Sequence, residues 1–250
     1  MGVLSERRGR AAVRNTLGAA LITCVIIGLV AGIGRAVFIG DFARRIDPIG
    51  QRVFAALGRR DPSGIDRAAR LREVDDRFAR HTAATLLHVV PGAAYMLLVP
   101  IQLSRRIRSR HRRVHRWNGR LLLVAGTVST LAGMFFGLGM PYGGIGEAIV
   151  VALTGALFLF AMGRAFVAIR RKQITVHREW MLRALSVALG ISVVRIVAGV
   201  YDLAFSPAGY SLDVLFVWSM WTGWAIAIGV AEFWIRRTRD QWRRATVEAT

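Results

Sequence analysis

Cysteine is all but missing from this chain: Cys24 is the single one in 250 residues. No intramolecular disulfide can form, and there is no CxxC or CxxCH to hold thiolate zinc or to attach a c-type haem covalently. Cys24 sits in an apolar run and reads as a small apolar residue facing lipid or a neighbouring helix. Acid is scarce too, with 15 Asp and Glu against 35 Lys and Arg. No carboxylate cluster accompanies the five histidines, which argues against a di-metal site, and no other metal site is expected. Ser-His-Asp and HExxH patterns are absent. The glycine-rich stretch 140–146 lacks the Lys-Ser/Thr ending of a phosphate loop. Lysine is nearly lost as well, since every basic residue except Lys172 is arginine.

Apolar sequence is what the chain has in excess. It is 54% hydrophobic with mean hydropathy +0.42, against about 45–50% apolar in a soluble domain. The surplus lies in six runs, 16–38, 82–103, 121–140, 148–169, 182–201 and 214–235. Each matches the roughly 17–25 residues that a helical span needs. Backbone in lipid must satisfy its own hydrogen bonds, and none of the runs alternates as barrel strands do. The expected fold class is therefore all-α: a polytopic membrane helix bundle of six transmembrane helices in a single domain, 1–250. The start resembles a signal peptide, but its apolar run of ~19 residues exceeds the usual 7–15, so an uncleaved first helix is expected.

Net charge is +20, and its placement gives an orientation. Residues 104–120 hold eight Arg and no acid, and 170–183 hold five basic residues and one acid. Four Arg fall in the first sixteen residues and five after Ile235, while 141–147 and 204–213 hold none. By the positive-inside rule, both termini and the loops 104–120 and 170–183 are cytoplasmic and 40–81 is extracytoplasmic, in a multi-pass protein of the cell (inner or plasma) membrane. Anionic headgroups are expected partners of these arginines, at about 1 kcal/mol each. Nucleic acid is not, because the charge sits at span ends with no soluble domain behind it.

The segment 40–81 reads as turns at Asp47-Pro48 and Asp61-Pro62 followed by an amphipathic helix over 64–80 at the membrane surface. In the third span Ala125, Ser129, Gly133 and Gly137 recur every four residues, and Gly28 and Gly32 repeat the pattern in the first. Such ladders let helices approach closely. Homo-oligomerisation is left open.

Polar residues inside spans are the functional candidates. His81, His88, Tyr95 and Gln102 recur every seven residues, nearly two turns, and so share one face of the second span. The fifth span carries Arg195 deep inside, with Asp202 seven residues on. Val-His-Arg occurs twice, at 114–116 and 176–178, each time just before a span and followed by Trp and Arg. Depth sorts these groups into two clusters. The outer one holds His88, Arg195 and with them Tyr95 and Asp202. The inner one holds Gln102, His115, Arg120, His177 and Arg183. Histidines at equal depth on two helices can hold a haem, and His115 and His177 meet that condition. His88 has no such partner. The competing accounts are headgroup anchoring for His115 and His177, and an ion pair with Asp202 or another acid for Arg195. Glu232 is expected to pair with Arg236 one turn on, and Arg164 to snorkel to the surface.

His88, Pro100-x-Gln102, the segment His115-Arg-Trp-Asn-Gly-Arg120, the segment His177-Arg-Glu-Trp-Met-Leu-Arg183 and Arg195 together resemble a bacterial family of predicted multi-pass membrane proteins, domain of unknown function 2306. The resemblance covers about residues 80–200. It implies a membrane protein carrying those His and Arg positions, and no activity. The leading functional expectation is a redox protein binding haem or a quinone-like group through His88, His115 and His177, with Arg120 or Arg195 holding an acidic substituent. The alternatives are a transporter or a lipid- or anion-handling protein using His88 and Arg195, and a non-catalytic assembly factor using the basic loops and 40–81.

Overall fold

A computed structural model describes residues 2–58, 64–205 and 208–247, with side chains described for 15–53, 55–58, 69–205 and 208–239. The described residues are helical apart from short turns. They form α1 (Gly2–Val37), α2 (Phe42–Ala56), α3 (Gly64–Arg80), α4 (Thr82–Leu103), α5 (Arg105–Arg110), α6 (Arg112–Gly139), α7 (Gly144–Arg170), α8 (Ile174–Phe205) and α9 (Leu212–Val247). Six of them are long and apolar enough to cross a membrane: α4, α6, α7, α8, and the segments Asn15–Val37 of α1 and Leu212–Arg239 of α9.

The spans match the apolar runs, but α6 and α8 each begin more than two turns before their apolar run does. Arginine is a good helix former, so the charged caps continue the helix rather than forming loops. His115 and His177 are thus each the fourth residue of a helix. The Asp47-Pro48 pair does not make the expected turn, because α2 runs through Pro48. Amphipathicity and contacts with α3 outweigh the one backbone bond that proline removes. The expected surface helix is present as α3. The expected turn at Asp61-Pro62 and the side chains of Ile65 and Ala68 lie outside the described residues.

Each spanning helix packs on the next, α1 on α4, α4 on α6, α6 on α7, α7 on α8, and α8 returns to α1. The result is a five-helix ring, with α9 lying outside it against α8 and α7. Small residues set these approaches. Gly28 of α1 faces Ser192 and Met96, and Gly32 faces Ala93. On α6, Ser129 and Gly133 receive His88, and Gly137 receives Val151 of α7. Mid-depth the ring is filled by Tyr95, Val99, Leu122, Phe158, Ala161 and Met162, with Tyr95 and Phe158 meeting edge to face at 5.9 Å. Many large apolar side chains point outward, including Ile22, Leu97, Val124, Phe160 and Phe233. In water that would be a liability; against lipid it is the expected surface.

Candidate functional site

The four-residue stripe of α4 is the seam with α6. His81 stacks against Phe135 and Phe136, and His88 Nδ1 lies 2.8 Å from the carbonyl oxygen of Ser129. Tyr95 packs where Gly126 leaves room, and Gln102 accepts a 2.9 Å bond from Asn118. Pro91 and Gly92 do not break α4. Instead Ser129 Oγ donates to the His88 carbonyl at 2.7 Å, so α6 serves the backbone of its neighbour.

A carbonyl oxygen only accepts, so Nδ1 of His88 carries the proton and Nε2 keeps the lone pair. The same logic holds for His177, whose Nδ1 donates to the Ala165 carbonyl of α7 at 2.9 Å. Both rings therefore have a fixed tautomer with Nε2 as the remaining acceptor, the arrangement that a bond from Nδ1 to a carbonyl imposes on ligating histidines.

The residues fall at two levels of the bundle. One end, here called the basic end, carries α5 and the first turns of α6 and α8. There His115 lies within electrostatic reach of His177 and of Arg108. Nδ1 of His115 is the buried side-chain polar atom that has no hydrogen-bond partner among the described residues. Arg120 stacks on Trp117 at 4.7 Å with its guanidinium open. Gln102 is tied to Asn118, which also donates to the Leu98 carbonyl at 3.0 Å.

Arg183 is not free to hold a ligand. It forms a two-bond pair with Glu232 of α9 at 2.5 and 3.1 Å and stacks on Trp180. Glu232 thus pairs across helices rather than with Arg236, because it lies on the side of α9 that faces α8. Arg239 pairs in the same way with Glu179, at 2.9 and 3.1 Å, so two clasps bind α9 to α8. Arg164 is exposed and approaches the Trp180 ring.

His88 and Arg195 belong to the other half of the ring. Eighteen residues of helix separate His177 from Arg195, about 27 Å at 1.5 Å per residue. Arg195 lies within electrostatic reach of Arg35 and His88. Among the described residues its hydrogen bond is to the Ile191 carbonyl of its own helix, at 3.3 Å. No carboxylate pairs with it among the described residues. Tyr95 is buried in the core. An arginine in mid-membrane costs at least ~2.5–3.5 kcal/mol.

Sequence reasoning missed Asp75. It is fully buried on α3 and accepts from Arg35 at 2.6 Å and from the backbone of Ala43 at 2.9 Å and Arg44 at 3.2 Å. It thereby fastens α3 to the end of α1 and the start of α2. Its neighbour Asp76 looks the same in sequence, so no local signal marks it. Asn118 was visible only as part of a cap motif. Nothing in its spacing showed that it reaches α4.

No curated protein and no solved structure matches the chain. One family does, over residues 85–235, a stretch that takes in His88, both Val-His-Arg caps, Arg195 and the Arg183–Glu232 clasp. The chain belongs to that family, domain of unknown function 2306, described as predicted membrane proteins.

Proposed function

We propose that the chain is a membrane redox protein that holds a haem-type group at its basic end, between His115 of α6 and His177 of α8. The observation that carries this reading is the imidazole pair itself. His177 has its tautomer set by Ala165 and keeps an Nε2 lone pair, and beside it His115 has a buried Nδ1 with no partner. Two neutral imidazoles on separate helices would be the residues that hold a haem iron. Arg120 and Arg108 suit its acidic substituents, being cations at that level outside the Arg183 and Arg239 clasps. With no cysteine near, the attachment is non-covalent. Such a group, when bound, supplies one-electron transfer; the protein supplies the ligating imidazoles and their orientation. The positive-inside rule places this end on the cytoplasmic side.

An absorbance spectrum of the purified protein, as isolated and after dithionite, tests this. The expected result is a Soret band that shifts on reduction and disappears in His115→Ala and in His177→Ala while both variants remain monodisperse. A colourless protein from cells supplied with haem overturns the reading.

A further inference from the structure

The two short helices after α1 meet the bundle differently. The described side chains of α3 tie it down: Asp75 is buried on Arg35 and the backbone of Ala43, Arg70 bonds Asp213 of α9 at 2.8 Å, and Arg77 donates to the Met140 carbonyl at 2.8 Å. On α2 only the side bearing Ala43 is held in this way. Its other side carries Ile46, Ile49 and Val53, and Leu57 extends the row, since its N–H still bonds the Val53 carbonyl at 3.2 Å. Steps of three and four residues set all four on one stripe, and each is between 47% and 63% exposed. Arg45 and Arg52, seven residues apart, edge that stripe, and Arg45 stacks on Phe38 at 4.4 Å. The stripe begins beside Val37 and Phe38, the outward-facing end of α1. It ends at a hollow of about 390 Å³, bounded by Leu57 on one side and by Val200, Leu203 and Ala204 of α8 on the other. Val200 is itself outward-facing on a spanning helix. The apolar face of α2 therefore continues the lipid-facing surface of α1 at one end and of α8 at the other.

We propose that the hollow between Leu57 and α8 seats one acyl chain of a bilayer phospholipid, with α2 lying in the plane of the interface and its stripe turned into the lipid. The lining decides the chemistry. No polar side chain bounds the hollow among the described residues, so a polar solute finds no hydrogen bond there, and apolar space of this kind does not hold water. Size decides between hydrocarbon and protein. A partner helix is ~10–12 Å across with its side chains and is too thick for the space, whereas a single chain is not. An amphipathic helix edged by arginines is the usual device for lying at the headgroup level. The hollow is at the end of α8 away from His177, which the positive-inside rule places in the outer leaflet.

Native mass spectrometry of the full chain, purified in mild detergent, stripped of lipid and titrated with phosphatidylglycerol, tests this. The expected result is one lipid bound ahead of all others, and first-site binding roughly tenfold weaker in Ala204→Trp, whose indole fills the hollow. Val124→Trp, on the outward face of α6, serves as control and is expected to bind as wild type does. No preferred lipid in wild type, equal binding in Ala204→Trp, or an equal loss in Val124→Trp overturns the proposal. Glycerol 3-phosphate, a headgroup without chains, is expected not to compete; competition by it means headgroup recognition and overturns the chain assignment. If Ala204→Trp does not fold, Leu57→Asp takes its place, with the same loss expected and unchanged binding overturning the proposal. None of these readouts depends on haem.

Discussion

An added Cβ at Gly133 lies 2.8 Å from both Cε1 and Nδ1 of His88, with the ring held in place by its bond to Ser129. The imidazole cannot retreat without losing that bond. Gly133→Ala is therefore expected to lower stability by about 1–3 kcal/mol, as overpacked sites do, and thermal melting in mild detergent measures it. Asn118→Ala removes the donor to the Gln102 side chain and to the Leu98 carbonyl, two part-buried acceptors on α4. Its expected cost is also ~1–3 kcal/mol, and a melt within error of wild type would count against that bookkeeping. At this scale the sequence was legible where residues recur at a period. The His81, His88, Tyr95 and Gln102 stripe does face one partner, α6. It was not legible where a group acts alone: Asp75 and Asn118 gain their meaning from elements distant in the chain, and no spacing rule reaches across that gap.

Between helices, two kinds of fastening differ in what they hold. The Arg35–Asp75 contact is almost dry, with side chains 11% and 0% exposed. Breaking one partner of a buried pair strands the other charge, so Asp75→Asn is expected to cost ~3–5 kcal/mol and to free α3 to proteolysis; limited digestion reads the second effect. The Arg183–Glu232 clasp is wetter, at 17% and 30% exposed, and joins α8 to α9. Arg183→Glu alone should loosen α9, and Arg183→Glu with Glu232→Arg should restore much of the loss. No recovery in the double variant would mean that Trp180 stacking, not charge, makes the joint. Glu232 shows why such pairs resist prediction. The i,i+4 neighbour Arg236 satisfies the local rule, but helix rotation is decided by which face buries best, and that face points to α8.

Across the whole molecule, hydropathy gave the six spans because lipid imposes a length and a composition on every one of them. The ring order did not follow, since which apolar face meets which is settled by small residues such as Gly28 and Gly137 that many helices share. Orientation remains an expectation from charge. Reporters inserted near Arg110 and fused after Arg244 should read cytoplasmic, and one near Ser63 should not; any other pattern reverses the sidedness assigned to both sites. The closing contact of the ring has a consequence for biogenesis. Ser192 and Cys24 are 168 residues apart in sequence. During synthesis α1, α4, α6 and α7 must wait in the bilayer as an open arc, presenting to lipid the side that α8 will cover. The helix that completes the circle is the one bearing Arg195, so that arginine enters the membrane only after the other four helices of the ring have been made.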